Sequence, residues 1–96
     1  MKRTFRIIND KKYGRLIMTT EGTRTMYSLQ DICQMVELDW KECLPVLVNK
    51  TVTCEVPDRG EHIFIGSQDG ERILKTVTGH EKCCLWLSVI AFNFYK

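Results

Sequence analysis

Residues that could carry out catalysis are few in this chain of 96 amino acids. Its two histidines, His62 and His80, lie in no known catalytic signature, and no serine lies in a G-x-S-x-G nucleophile elbow. The glycine loops that bind phosphate groups, G-x-G-x-x-G and G-x-x-x-x-G-K-S/T, are absent as well. The carboxylates Asp69 and Glu71 flank a glycine, where a solvated turn explains both. The sequence therefore predicts a protein without enzymatic activity or cofactor.

Metal and disulfide chemistry depends on five cysteines, at positions 33, 43, 54, 83 and 84. The tightest group of metal ligands is His80, Cys83 and Cys84, which Cys54 and His62 could complete. No Cys-x2-Cys pair is present, and the spacings match no common zinc site. The odd number of cysteines, and the lack of an apolar stretch after the basic first residues, favour a reducing compartment. We therefore expect all five thiols to be reduced and free of metal.

The distribution of charge indicates two candidate contact surfaces. Residues 1–30 contain seven Lys or Arg and two acids, whereas residues 31–61 contain three Lys or Arg and seven acids. A basic edge of this kind could bind phosphate groups, although charges also protect edge strands from aggregation. The basic candidates are Lys2, Arg3, Arg6, Lys11, Lys12, Arg15, Lys41 and Lys50. The acidic candidates, which would suit a basic protein partner instead, are Asp31, Glu37, Asp39 and Glu42.

Two consecutive helices are the clearest structural signal. Ser28 and Asp31 form a capping pattern that opens the apolar stripe Leu29, Ile32, Cys33 and Val36. Asp39 and Glu42 repeat this pattern and open a second helix, predicted over 40–49, with Pro45 kinking or breaking it. The pair resembles a helix-turn-helix unit in outline. We expect its apolar stripe to pack against a second set of residues: Trp40, Leu44, Leu47, Val52, Cys54, Ile63 and Ile65.

Strands are predicted before and after these helices. A hairpin of Thr4–Ile8 and Arg15–Thr19, followed by Thr25–Tyr27, precedes them. After them come strands at Val52–Val56, His62–Ile65, Ile73–Val77 and Cys83–Leu87, with an Asp69-Gly70 hairpin turn and a short apolar helix after Ser88. The sequence thus predicts one α+β domain over 1–96: a small antiparallel sheet of hairpins packed on the two-helix unit, with a short C-terminal helix. An exposed Phe92–Tyr95 segment would provide a site for self-association.

Several short motifs occur in the order found in one known family. They are Met26–Leu29, Asp31–Cys33, Leu38–Lys41, Asp69–Arg72 and Cys84–Leu87. With the pattern I-C-x4-L-D-W-K as its most specific part, the chain resembles the N-terminal domains of phage antirepressors, which are related to the BRO-N domains of large DNA viruses. The resemblance covers roughly residues 26 to 95.

This resemblance implies a phage or prophage regulatory protein that acts in the cytoplasm of a bacterial host by binding a macromolecule. Two partners remain open. The first is DNA, contacted by the basic candidates and by the second helix of the helix-turn-helix unit. The second is a nucleic-acid-binding protein, such as a host repressor or a bacterial defence complex, which this chain would inhibit through protein–protein contacts. No stretch approaches the roughly 18 apolar residues of a membrane span, so no membrane partner is expected.

Overall fold

The computed structural model describes residues 3–11 and 14–76, which form an antiparallel sheet with helices packed on it. The α+β fold class predicted from the sequence is confirmed. The strands are β1 Phe5–Asp10, β2 Gly14–Glu21, β3 Arg24–Ser28, β4 Val52–Val56 and β5 Gly60–Gly66. The helices are α1 Leu29–Met35, α2 Trp40–Cys43 and α3 Ser67–Leu74, and a 3₁₀ turn, Leu44–Val46, directly follows α2.

The sheet has the strand order β1-β2-β3-β5-β4, so one crossover interrupts a series of hairpins. The β1–β2 hairpin pairs Phe5 with Thr19, and the β4–β5 hairpin pairs Val52 with Phe64. Between them, β3 pairs with β5 through Tyr27 and Ile65. The chain between β3 and β4 forms α1, α2 and the 3₁₀ turn, so the predicted helix pair is inserted between the two hairpins.

The two faces of the sheet have separate apolar clusters, because successive side chains on a strand point to opposite sides. The first face carries Leu16, Met18, Tyr27 and Ile65, on which α1, α2 and α3 pack through their own residues. These helix residues are Leu29, Ile32, Cys33, Cys43, Ile73 and Leu74. The second face is formed by the fully buried Ile17, Met26, Val56 and Phe64 together with the partly buried Phe5, Ile7, Val52 and Cys54.

The expectation that Val52 and Cys54 share a face with Ile63 and Ile65 is therefore wrong. Their register pairs Val52 with Phe64 and Cys54 with His62, which places both on the second face. Alternation along each strand was predicted correctly. The turn that joins the two strands determines which residues of one strand share a face with which residues of the other. In this turn Asp58 and Gly60 have φ angles of 64° and 81°.

The second helix of the predicted pair is much shorter than expected. It ends at Cys43, and Leu44–Val46 continues as a 3₁₀ turn whose first positions include Pro45. Proline lacks the N–H that an α-helical bond would need, so the helix cannot continue regularly through it. Trp40 and Leu47 pack against the core as predicted, but Leu44 is exposed, which contradicts its assignment to the core.

The predicted Asp69-Gly70 hairpin and the strand Ile73–Val77 are also corrected. Residues 67–74 form α3, in which Ile73 and Leu74 are buried against the first face. Asp69 and Gly70 have the composition of a turn, but the segment forms a helix because the helix buries Ile73 and Leu74. The other predicted C-terminal features, the strand at Cys83–Leu87, the helix after Ser88 and the Phe92–Tyr95 segment, lie outside the described residues.

Candidate functional site

The turn between α1 and α2 depends on two helix caps that were predicted from the sequence. The Ser28 hydroxyl accepts a hydrogen bond from the Asp31 N–H at 3.2 Å and begins α1, and Asp39 accepts from the Lys41 N–H at 3.0 Å and begins α2. Between them, Glu37 adopts a φ of 60°, and the Leu38 N–H donates to the Cys33 carbonyl. This tight connection leaves the carboxylates of Glu37 and Asp39 exposed.

The segment that follows places apolar side chains in solvent. Leu44, Val46 and Val48 keep 40%, 41% and 65% of their surface exposed. We call these three residues, together with the exposed carboxylates of Glu37, Asp39 and Glu42, the α2 surface. The sequence pattern assigned Leu44 to the core, because its helical spacing presupposed a helix that continues past Pro45.

A buried carboxylate holds the far end of the α2 surface in place. The Val48 and Asn49 N–H groups donate to the two oxygens of Asp69 at 3.2 and 3.1 Å. Asp69 is fully buried, and the guanidinium of Arg72 lies 3.8 Å from it. Since Asp39 caps one end and Asp69 fixes the other, the exposed apolar side chains are carried on an ordered backbone.

Asp31, predicted as an acidic contact residue, is not part of this surface. Its carboxylate is buried and accepts hydrogen bonds from the Arg15 guanidinium at 2.8 Å and from the Ile17 N–H at 2.9 Å. The acid therefore ties α1 to β2. This corrects the expectation for Asp31, because a buried and fully engaged carboxylate cannot contact a partner.

The predicted basic residues do not converge on one patch within the described part of the chain. Arg3 donates to the Thr20 carbonyl and to Glu21, both at 2.8 Å, whereas Lys11 lies beyond the other end of β1, roughly 25 Å away along an extended strand. Arg15 pairs with Asp31, and Arg6 is exposed on β1. Lys2 and Lys12 lie outside the described residues.

Lys41 and Lys50, the two cations predicted on the second helix, have different surroundings. The Lys41 ammonium lies over the Trp40 ring, 5.9 Å from its centre. Lys50 lines a cleft of about 500 Å³ beside the N-terminus of α3. The same cleft contains Arg24, a basic residue that the sequence analysis did not single out, with Ser67 and Gln68 beside it. Arg24 lies in this cleft because β3 pairs with β5 and because residues 67–74 form a helix, and the sequence analysis predicted neither feature.

A serine and a histidine meet in the interior, where the sequence predicted no interaction. The Ser28 hydroxyl lies 2.6 Å from Nδ1 of His62. Because Ser28 accepts from the Asp31 N–H, its own proton is free to go to Nδ1. Burial lowers the pKa of His62, an effect that the charge of Asp31 opposes. Ser28 has no exposed surface and His62 almost none, so this nucleophile–base pair has no access to a substrate.

The described thiols are free and lie in apolar surroundings. Cys33 and Cys43 contact each other between α1 and α2, and burial, reinforced by the neighbouring Cys43 thiol, raises the pKa of Cys33 to about 12. Cys54 is paired in register with His62, and burial raises its pKa as well. Across residues 3–11 and 14–76, no three His, Cys, Asp or Glu residues are placed to hold a metal ion. The candidate ligands His80, Cys83 and Cys84 lie outside those ranges.

Comparisons with known proteins do not assign this chain to a family. No family model matches it, and neither the curated proteins nor the solved structures contain a significant match. The resemblance to phage antirepressor domains thus stays a prediction from the sequence. Within the described ranges, no helix has both the length and the apolar character needed to cross a membrane.

Proposed function

We propose that this chain is a phage or prophage regulatory protein that acts without catalysis, by binding a protein partner with a basic surface. A DNA-binding repressor or a bacterial defence complex is the kind of protein partner that the antirepressor resemblance leaves open. The observation that carries the proposal is the α2 surface, where Leu44, Val46 and Val48 lie in solvent and three exposed carboxylates precede them in the chain. Localisation in the cytoplasm of a bacterial host belongs to the same proposal.

Exposed apolar side chains of this size support a protein partner more than a nucleic acid. Burying a Leu or Val side chain completely contributes about 1.5–3 kcal/mol, so three side chains that are roughly half exposed could together contribute about 3 kcal/mol to binding. Readout of DNA bases would instead require Arg, Lys, Asn or Gln on the exposed helix face. Here that face is a single α-helical turn followed by Leu-Pro-Val.

The flanking carboxylates define the charge of the partner. Glu37, Asp39 and Glu42 are exposed within six residues of one another, and Lys41 is the single basic side chain among residues 37–48. Such a surface repels phosphate groups and attracts the cationic surface that a DNA-binding protein uses for its own ligand. The chain would thereby compete with DNA for its partner.

The experiment measures binding of purified phage and prophage repressors to the immobilised chain by biolayer interferometry. Substitution of Leu44, Val46 and Val48 by serine should weaken the affinity for a bound repressor at least tenfold, because the side chains lost carry the apolar contact. The matched control replaces Glu55 and Glu61, an exposed cross-strand pair on the β4–β5 hairpin, by glutamine and should leave the affinity unchanged. A repressor that binds both variants equally would contradict the proposal.

Direct DNA binding is the second candidate, and the cleft that contains Arg24 and Lys50 is the observation in its favour. Two cations beside the N-terminus of α3 could hold a backbone phosphate. Substitution of both by glutamate should then weaken binding to every DNA sequence and reduce the salt dependence of the affinity. Absence of DNA binding at about 50 mM salt would exclude this candidate and leave the protein partner.

A further inference from the structure

We propose that the cleft containing Arg24 and Lys50 binds a phosphomonoester, the terminal phosphate of a small molecule or of a nucleic-acid end. The cleft has a volume of about 500 Å³, a size typical of small-molecule sites. This ligand differs from the internal phosphates of a DNA backbone, and its site does not involve the α2 surface. Three features support it: the charges that line the cleft, an unpartnered hydroxyl group, and the position of one glycine.

The cleft opens where β3 extends past its neighbour β5. β3 begins at Arg24, but its pairing with β5 covers only Met26–Ser28, starting from the pair of Met26 and Gly66. After Gly66 the chain leaves the sheet and forms α3, so no strand within residues 3–11 and 14–76 pairs with Arg24 and Thr25 on that side. Successive side chains of a strand point to opposite sides, and both of these residues line the cleft because it lies at an open strand edge.

Among the described residues, two cations and no carboxylate line the cleft. Arg24 and Lys50 are both exposed, and neither is paired with a carboxylate in the part of the chain that the structure describes. The remaining lining residues are uncharged. Asp69 lies nearby in α3, but its carboxylate is buried and accepts hydrogen bonds from the Val48 and Asn49 N–H groups. The cleft therefore carries a positive charge that favours an anion.

Two cations match the charge of a phosphomonoester better than that of a phosphodiester. A terminal phosphate carries about −1.5 to −2 charges near pH 7, whereas an internal backbone phosphate carries only one. A cleft of this volume is on the order of 10 Å across, and a phosphate bonded to one nitrogen on each side spans about 8 Å between the two nitrogens. A single phosphate group is therefore large enough to contact both walls of the cleft.

The hydroxyl group of Thr25 is a hydrogen-bond donor that the described part of the chain leaves unused. Its Oγ1 is buried and has no hydrogen-bond partner there. A buried hydroxyl without a partner is unfavourable, and most buried polar groups are paired. Because Thr25 lines the cleft, rotation about its Cα–Cβ bond is enough to turn the hydroxyl towards a phosphate oxygen, which would accept its hydrogen bond.

Gly66 leaves room for the guanidinium of Arg24 beside the start of α3. Its φ of −77° is open to every residue, so the backbone conformation does not require glycine here. A Cβ atom at this position would lie only 2.7 Å from Nη2 of Arg24. The first N–H groups of α3 lie next to this guanidinium and receive no side-chain cap from Gly66, and they too favour an anion.

Isothermal titration calorimetry of the full chain with phenyl phosphate and phenyl sulfate tests the site. The two probes are similar in shape, but at about pH 7.5 the phosphate carries close to one more negative charge and should bind at least fivefold more tightly. Arg24→Gln and Lys50→Gln should each weaken the binding of phenyl phosphate at least tenfold. Lys75→Gln, which removes an exposed cation at the opposite end of α3, is the control and should leave the affinity unchanged. No binding, equal binding of the two probes, or an equal loss in the control would each overturn the proposal.

Two further substitutions test geometry rather than charge. Gly66→Ala keeps both cations but displaces the Arg24 guanidinium, and Thr25→Val removes the unpartnered hydroxyl. Each should weaken the binding of phenyl phosphate at least threefold. Urea midpoints should show both variants folded, because the first displaces only the end of a flexible side chain and the second removes an unpaired polar group. Unchanged affinity in either folded variant would contradict the proposed site, and if one fails to fold, the Arg24 and Lys50 substitutions decide.

A short oligonucleotide with and without a 5′-phosphate identifies the source of the phosphate. If the phosphorylated form binds more tightly than phenyl phosphate and Lys50→Gln removes the difference, the ligand is a nucleic-acid end. If it binds no more tightly than phenyl phosphate, the ligand is a free small molecule. Equal binding of the two oligonucleotides, weakened equally by Lys50→Gln, would assign the cleft to internal backbone phosphates. That result would overturn the proposal and support direct DNA binding instead.

Discussion

The second face and the α2 surface are both rich in branched apolar side chains, yet they have opposite environments. Ile17, Met26 and Phe64 have no exposed surface, whereas Val48 keeps 65% of its own. The difference lies in the backbone that carries them. Regular alternation on a sheet concentrates apolar groups on one side, where a single layer can bury them all. A one-turn helix interrupted by proline spreads its side chains around the axis, so that only Trp40, Cys43 and Leu47 reach the core.

This contrast separates residues that stabilise the fold from residues that are available to a partner. Burial of the second face contributes to the free energy of folding, so substitutions there should change the free energy of unfolding. The apolar groups of the α2 surface contribute little to folding, and their exposure in a small domain has a cost in solubility. Substitutions in the two regions should therefore give different phenotypes.

The largest expected effect is that of Phe64→Ala on the second face. Removing a buried phenylalanine costs about 3–5 kcal/mol, and Phe64 also loses its ring contact with Phe5, whose centre lies 5.8 Å away. In a domain of this size such a loss is comparable with the whole free energy of unfolding. Urea denaturation followed by circular dichroism measures it. Leu44→Ala, the matched change on the α2 surface, should cost less than about 1 kcal/mol; equal costs would remove the distinction between the regions.

Asp69→Asn should have the next largest effect. It acts on the α2 surface from the interior, through the backbone that carries Val48. An asparagine offers one acceptor oxygen and turns an NH₂ group towards the second backbone donor, so either the Val48 or the Asn49 N–H loses its partner. We expect a loss of about 1–3 kcal/mol in unfolding free energy and faster amide exchange at Val48 and Asn49. Asp58→Asn, the same change at an exposed turn, is the control. Unchanged exchange would mean that Asp69 does not order this segment.

The pH dependence of stability tests the buried polar network behind α1. Burial lowers the pKa of His62, so the unfolded chain binds a proton at a higher pH than the folded chain does. Stability should therefore decrease as the pH falls below about 6.5, the ordinary histidine value, by up to about 1.4 kcal/mol per pH unit until the folded pKa is reached.

Urea midpoints at several values between pH 5 and 8 measure this slope. In the variant His62→Asn the slope should become shallower across the same interval, whereas His80→Asn serves as the comparison at the other histidine. A slope that persists in His62→Asn would assign the pH dependence to other groups.

The elements that the sequence predicts correctly are those with local signals. Ser28 and Asp39 cap the helices as predicted, and the β1–β2 hairpin follows its turn-rich connection. The errors arise where tertiary contacts decide. The Asp69-Gly70 pair has the composition of a hairpin turn, but Asp69 is needed in the interior by two amides that lie about 20 residues earlier. No local sequence pattern indicates that Asp69 must be buried to accept these two hydrogen bonds.

The candidate site shows the same division. The exposure of Glu37, Asp39 and Glu42 was predicted when the charge distribution indicated them as candidate contact residues. The burial of Asp31 was not, because its partners Arg15 and Ile17 lie on a strand whose distance from α1 depends on the whole sheet. The apolar half of the α2 surface was also missed, since helical spacing is informative only while the helix lasts. The cleft that contains Arg24 and Lys50 was missed as well, because it depends on the pairing of β3 with β5, which are not consecutive in the chain.

The smallest effect on the fold, and the sharpest distinction between partners, is expected of Lys41→Glu. Lys41 is exposed, and its contact with the Trp40 ring contributes only about 0.5 kcal/mol to stability. The substitution replaces the single basic side chain among residues 37–48 by a fourth carboxylate next to the α2 surface. A basic protein partner should then bind several-fold faster at low salt, whereas DNA should bind more weakly, because the same charge attracts one and repels the other. Association rates at 50 and 200 mM salt measure both, with Glu55→Gln as the control. An unchanged association rate with the protein partner would mean that its contact lies elsewhere on the chain, and a slower rate would mean that its contact surface is not basic.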